Sequence, residues 1–230
     1  MEQKNAFFAT EKVSRLLWRL APPVMLAQLI QALYNIVDSY FIGQYDPDGL
    51  AALSVIFPIQ LLISAFAIGT GVGVNTLMSK FDGLSNPHAA GQTAGAGQLL
   101  ALLSWVVFAV IACAGMELYT QVSLSTPQAQ AYACTYGRIV CGLSLGIFLE
   151  SGWTKILQAR GDMKTPMLAQ AAGALVNIVL DPLLIFGIGF FPAWGVAGAA
   201  IATVAGQAVA ACIVGRKACR RLPSLAAARP

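Results

Sequence analysis

Long apolar runs separated by short polar connections constrain this chain more than any other feature. A helix needs about 20 mostly apolar residues to cross a hydrocarbon core of about 30 Å. Six stretches meet that length: residues 20–43, 53–78, 94–115, 131–157, 166–190 and 196–214. The fourth is the weakest, because Arg138 and Glu150 interrupt it and its clean apolar centre runs only from Ile139 to Leu149. Turn formers and most of the charge fall in the connections 44–52, 80–93, 116–130 and 161–165. The pattern predicts an all-α integral membrane protein, folded as a six-transmembrane-helix bundle. Charged residues make up 10% of the chain, against about 25% in a typical soluble domain. That is too little polar surface for a soluble enzyme, a nucleic-acid-binding protein or a disordered chain.

Lys and Arg collect on the cytoplasmic side of membrane helices. With the N-terminus inside, Lys4, Lys12, Arg15, Arg19, Lys80, Lys155, Arg160, Lys164, Arg216, Lys217, Arg220, Arg221 and Arg229 all face the cytoplasm, and Arg138 alone of the 14 basic residues does not. The net charge of +4 therefore follows from topology and does not call for nucleic acid. The expected organisation is a cytoplasmic N-terminal segment at 1–15, a six-helix membrane lobe at 16–215 and a basic cytoplasmic tail at 216–230. Both termini lie inside, and the lipid bilayer is the surrounding partner. Charges dispersed over the first 19 residues, with no small-residue cleavage site, do not describe a signal peptide.

Two acids stand inside spans. Asp38 and Asp181 would each cost roughly 2.5–3.5 kcal/mol if left facing lipid, an expense that marks a bundle interior, a wet cavity or an ion path. Asp38 lies roughly 28 Å along its helix from Arg19, and Asp181 roughly 26 Å from Lys164, so both sit at a similar level in the outer half. Gln28, Gln31, Asn35 and Asp38 share one helical face, with Tyr34 a turn before Asp38. Asn177 and Asp181 share another. Pro182 cannot donate to the carbonyl of Ile178, which frees an acceptor and predicts a hinge. Thr203, roughly 14 Å below Trp194, matches Asp181 in depth and shares a face with Gln207.

The oxygen-rich set Asp38, Asn177, Asp181 and Thr203 suits Na⁺ or a carboxylate-held proton. Na⁺ would sit at Asp38, Asn177 and Asp181. Gln28, Gln31, Tyr34, Asn35 and Gln207 are the expected cavity wall, although amides at such positions also serve as plain glue between helices. Glu150, near Lys155 and the cytoplasmic end, reads as an interfacial or ion-paired acid. Gly69/Gly73, Gly142/Gly146 and Gly198/Ala202 are expected to let helices approach closely.

Other chemistry is absent. Gly69-Thr70-Gly71-Val72-Gly73 lies inside an apolar span with no strand before it, so it is not a nucleotide loop. The only histidine, His88, falls in a connection; a lone histidine excludes an H-E-x-x-H centre and leaves no base for an intramembrane serine nucleophile. The 5 cysteines form no C-x-x-C and read as small buried hydrophobes. No enzyme and no cofactor is expected.

Several motifs resemble one transporter family. Leu33-Tyr34-Asn35-Ile36-Val37-Asp38, with Phe41-Ile42-Gly43 and Leu50-Ala51-Ala52, resembles the first span and loop of the multidrug and toxic compound extrusion (MATE) family. The glycine run with Ser79 resembles its second span, and Gly161-Asp162-Met163-Lys164-Thr165-Pro166 the loop before its fifth. Asn177-Ile178-Val179-Leu180-Asp181-Pro182 resembles its site motif, and Gly198-Ala199-Ala200-Ile201-Ala202-Thr203 its sixth span. The ordered set runs from about Leu16 to Arg221 and is most similar to the DinF-like branch.

The resemblance implies a bacterial inner-membrane antiporter that exports organic cations or amphipathic drugs as H⁺ or Na⁺ moves inward. Asp38, Asn177, Asp181 and Thr203 would be its cation site. Family members have two six-span lobes, and this chain resembles the N-terminal one. The implied partner is a C-terminal lobe missing from this chain, or a second copy in a parallel dimer. Two other readings compete: a flippase for lipid-linked oligosaccharide precursors, which would want a basic cavity, and a non-transporting membrane assembly subunit.

Overall fold

The computed structural model describes residues 13–221. The expected N-terminal segment up to Lys12, including Lys4, and the tail beyond Arg221, including Arg229, lie outside the described residues. Seven helices form among those described: α1 Val13–Tyr45, α2 Pro47–Gly83, α3 Pro87–Ser123, α4 Pro127–Gly142, α5 Leu145–Ala159, α6 Lys164–Phe186 and α7 Val196–Arg221.

Three starts use one device. Asp46, Asn86 and Thr126 cap α2, α3 and α4 with side-chain oxygens that accept from the backbone N–H of Asp48, Ala89 and Ala129, and proline follows each cap. A capping oxygen satisfies an orphan donor, and proline at the first helical position loses nothing, because its missing N–H had no partner there. These connections are short, so the helices run much longer than the expected spans: α1 has 33 residues, α2 and α3 have 37 each.

The six-helix expectation needs correction to seven, because the fourth span is two helices bent by 41°. The break at Leu143–Ser144 has alternative partners. Trp105 Nε1 donates to the Gly142 carbonyl at 3.1 Å, and Ser144 Oγ to the Cys141 carbonyl at 2.7 Å. Carbonyls satisfied by side chains no longer need a continuous helix. The fifth span also ends earlier than expected. Gly187 takes φ 70°, a left-handed cap that glycine adopts without strain, and the chain turns back so that Trp194 N–H donates to the Leu184 carbonyl. Pro182 sits inside α6, which continues through it.

Of the four described helices long and apolar enough to span, the most apolar, α3, is the least buried. Only 11% of the apolar window of α3 is buried, and Leu99, Leu103, Val107, Val110 and Ile111 are exposed. Apolar surface on this scale needs a hydrocarbon solvent, so the bundle is an integral membrane fold. Length and composition qualify four described helices as spans, and five with the bent α4–α5 pair. α1, at 33 residues, also has the length to cross.

Close approaches follow glycine only in part. A Cβ on Gly146 would lie 3.2 Å from Gln207 Cβ, and one on Gly198 would lie 2.5 Å from the Leu184 carbonyl oxygen. Gly69 and Gly73 meet nothing within 4 Å, contrary to expectation; Gly71, between them on the opposite face, packs on Lys155. Of the cysteines only Cys141 is buried, and Cys212 and Cys219 are exposed on the outer face of α7, so the buried reading fails for those two. His88 lies in the first turn of α3, not in a loop. Arg138 pairs with Glu117 at 3.2 Å, both half exposed or more. The main core joins Ile42, Ile56, Tyr136, Phe148 and Ile185 beneath the polar site.

Candidate functional site

The site is set by how closely α6 and α7 approach. A Cβ on Gly173 would stand 2.6 Å from the Gly206 carbonyl oxygen, and a Cβ on Gly206 the same distance from that of Gly173. The two backbones are therefore in contact, which brings Asn177, one turn beyond Gly173, against Thr203 of α7. Asn177 Nδ2 donates to Asp181 Oδ1 at 3.2 Å along its own helix and to Thr203 Oγ1 at 3.5 Å across the interface. All three side chains are buried, Asp181 completely.

Asp38 approaches from α1. Tyr136 of α4 donates its phenol O–H to Asp38 Oδ2 at 3.5 Å, and Gln60 and Thr203 line the same cavity as Tyr136. A polar path thus runs from Asp38 through Tyr136, Thr203 and Asn177 to Asp181, drawing on α1, α4, α7 and α6. Asp38 Oδ1, Asn177 Oδ1 and Asp181 Oδ2 are buried and have no hydrogen-bond partner. Three orphaned acceptor oxygens in one place call for a donor or a cation.

Two cavities meet here. The larger, about 650 Å³, is walled by α1, α2, α4 and α7, and Gln28, Gln31, Tyr34, Asn35, Asp38, Thr203 and Gln207 all line it. The smaller, about 60 Å³, lies between α1, α5, α6 and α7 and is lined by Gln31, Tyr34, Glu150, Gln170, Asn177, Thr203 and Gln207 among others. Every residue expected in the wall lines at least one cavity. Asp181 lines neither; it sits behind Asn177. Neither wall contains Lys or Arg.

Three participants escaped the sequence reading. Tyr136 gave no signal, since an aromatic in an apolar span usually packs. Gln60 does give one: an amide in the middle of the second apolar run is costly in lipid, and it lines the larger cavity. Glu150 was expected at the interface or in an ion pair. It is buried, it accepts from Thr154 Oγ1 at 2.9 Å, and it lines the smaller cavity. The bend between α4 and α5 turns it inward.

At the other end of α6, Asp162 Oδ2 pairs with Lys217 Nζ at 3.1 Å, and Thr165 N–H and Oγ1 both donate to Asp162. Burial pushes the Asp162 carboxyl up, but hydrogen bonds from Lys217 and Thr165 outweigh it and hold the group below the usual carboxylate range.

The MatE family model matches residues 23–183. A FAD transporter of Shewanella oneidensis is 32% identical over 88% of this chain and 45% of its own length. A probable multidrug resistance protein of Bacillus subtilis is 30% identical over 89% of this chain and 45% of its own length. The solved outward-facing conformation of a multidrug resistance MATE family transporter is 29% identical and superposes with a TM-score of 0.80, covering 87% of this chain and 44% of that one. The chain spans about half the length of the curated relatives it matches.

Proposed function

The chain belongs to the MatE family, and from that premise we propose that it is a lobe of a cation-coupled antiporter exporting organic cations or amphipathic drugs across the plasma membrane. In this reading all six spans cross the bilayer, α1 included, with the α4–α5 pair counted as one. The described ends at Val13 and Arg221 face the cytoplasm, with the basic residues.

One observation carries the reading. Asp38, Asn177, Asp181 and Thr203, drawn from three helices, meet in a buried path whose orphaned oxygens are all acceptors, beside a cavity of about 650 Å³ with no basic residue in its wall. Oxygen donors suit a hard monovalent cation such as Na⁺, and a buried carboxylate equally suits a proton. Taking up a monovalent cation offsets one of the two charges of the Asp38–Asp181 pair, and this partial neutralisation weakens the attraction for a cationic drug in the adjoining cavity. Because a ligand shifts a conformational balance only through differential affinity, the same neutralisation would favour the state that returns empty. Pro182, a residue beyond Asp181, would absorb the associated bend of α6.

A complete pathway needs a second lobe, either a C-terminal lobe or a second copy in the same orientation. The acidic, base-free wall favours cations over the anionic headgroup of a lipid-linked precursor, and over an anionic dinucleotide such as the Shewanella relative's FAD.

The test is transport by the chain in proteoliposomes under imposed H⁺ and Na⁺ gradients in turn. Gradient-driven movement of a fluorescent organic cation, lost in Asp38→Asn and Asp181→Asn, supports the reading and identifies the ion. Flux that both variants leave unchanged overturns the site. A folded chain that moves nothing until a second lobe is supplied assigns it to one half of the machine.

A further inference from the structure

The coupling site proposed above uses two carboxylates, Asp38 in the wall of the larger cavity and Asp181 behind Asn177, but a third acid, Glu150, lines the smaller cavity and has no ionic partner in its wall. Glu150 is 8% exposed and accepts a hydrogen bond from a neutral hydroxyl, Thr154 Oγ1, on its own helix. It lines the smaller cavity with Gln170 and Gln207, each of which has a buried Oε1 with no hydrogen-bond partner. Asn177, 2% exposed, lines the same cavity with its own orphaned Oδ1. Four acceptors around a volume of about 60 Å³ have room for a cation and a few waters, since each water needs about 10–15 Å³. An uncompensated carboxylate there would be expensive, so something positive should accompany it.

The charges around Glu150 do not provide this. Lys155, the nearest base, is on its own helix a turn and more away, and Asn75 of α2 donates to the Lys155 carbonyl. α3 brings Gln98 against Gly152, α6 brings Gln170, and α7 brings Gln207; all are amides. From α1 comes Tyr34, which lines both cavities. Along α6 the cavity wall steps from Asn177 through Gly173 to Gln170, away from Asp181 and toward Lys164.

We propose that Glu150, cradled by Gln170 and Gln207, is a separate monovalent-cation station on the cytoplasmic side of the Asp38–Asp181 pair. It takes the proton or Na⁺ leaving that pair and passes it toward the Lys155–Lys164 end of the bundle. The direction of travel rests on the antiport reading; occupancy of the station does not.

Infrared difference spectroscopy on the purified full chain in lipid tests both. One series steps from alkaline to acidic buffer, and the other exchanges K⁺ for Na⁺ in alkaline buffer. The expected result is a carboxyl signal that disappears in Glu150→Gln and persists in the Asp38→Asn/Asp181→Asn double variant. Its appearance in the acid series alone identifies a proton; its appearance in the Na⁺ series identifies Na⁺. A Glu150→Gln spectrum superimposable on the wild type in both series overturns the station, as does loss of the Glu150 signal in the double variant. If the double variant changes no signal while Glu150→Gln does, the coupling assignment fails and the station stands. Should Glu150→Gln not fold, Gln207→Met keeps all three acids and removes one cradle oxygen. It should shift the Glu150 band, and an unmoved band overturns the proposal.

Discussion

Gly173 and Gly206 are each other's clearance: a Cβ on either would stand 2.6 Å from the other's carbonyl oxygen. No side-chain rotation relieves such a clash, because the obstructing atom is backbone. The α6–α7 separation, and with it the Asn177–Thr203 contact, depends on neither position having a side chain. Gly173→Ala and Gly206→Ala should each destabilise the purified chain by about 1–3 kcal/mol, the usual cost of overpacking. Once one substitution has pushed the helices apart, the second has less left to disturb, so the double variant should cost less than the sum. Thermal unfolding in detergent reads this directly; additive losses would mean that the helices do not move as a pair.

The outer ends of the helices separate a structural carboxylate from a decorative one. Asp46 caps α2 through Asp48 N–H at 2.9 Å and also accepts from Gln128 Nε2 and Tyr132 Oη, both at 3.2 Å, which ties the first connection to α4. Glu117 only meets Arg138 at the exposed surface. Asp46→Ala should cost about 1–2 kcal/mol, as a lost cap does. Glu117→Ala should cost under about 1 kcal/mol, as exposed pairs do. Reversal of that order in unfolding measurements would refute the ranking.

Asp162 ties the connection before α6 to α7 through Lys217, and its pH dependence has a definite sign. Its carboxyl is held below the ordinary value of 3.8 in the folded chain. A depressed acid contributes stability that is fully present above its unfolded pKa and is lost as pH falls through the folded one. The stability gap between the wild type and Lys217→Met should therefore stay constant from neutral pH down to about 4 and narrow below it. Melting temperatures of the two proteins across that range check it; a gap that opens with acidification would reverse the assignment.

Much of the site was legible because buried charge and amide faces are costly in lipid. Asp38, Asn177, Asp181 and Thr203 can be picked out by cost, depth and helical spacing; in the fold Asn177 touches Asp181 and Thr203, while Asp38 touches Tyr136 and not the other three. Glu150 is harder to read, because distance along the chain does not give depth in the bundle. The bend at Leu143–Ser144, invisible to apolar periodicity, turns it toward the cavity. Gly69 and Gly73 were misjudged for a related reason: spacing places residues on a face but does not say which face meets a neighbour, and here it is Gly71 that does. Tyr136 left no trace in the sequence, because a tyrosine in an apolar run looks the same whether its hydroxyl binds a carboxylate or a stray carbonyl.

Tyr136 therefore gives the sharpest test of the polar path. Its ring is 1% exposed and packs in the main core, while its hydroxyl reaches Asp38 at 3.5 Å and Thr203 lines the same cavity. Tyr136→Phe keeps the ring and removes the one group between Asp38 and the Asn177–Asp181 end of the path. The fold should survive with a loss of about 1–2 kcal/mol, the cost of a buried hydrogen bond whose partner is left unsatisfied. If the path couples the two acids, the variant should still bind an organic cation, since Asp38 keeps its charge in the cavity wall, but ion-driven transport should fall at least tenfold. Measuring equilibrium drug binding and gradient-driven flux on the same preparation separates the two effects. Binding and flux lost together would make Tyr136 a wall residue, and flux at the wild-type level would mean that Asp38 and Asp181 act without the bridge between them.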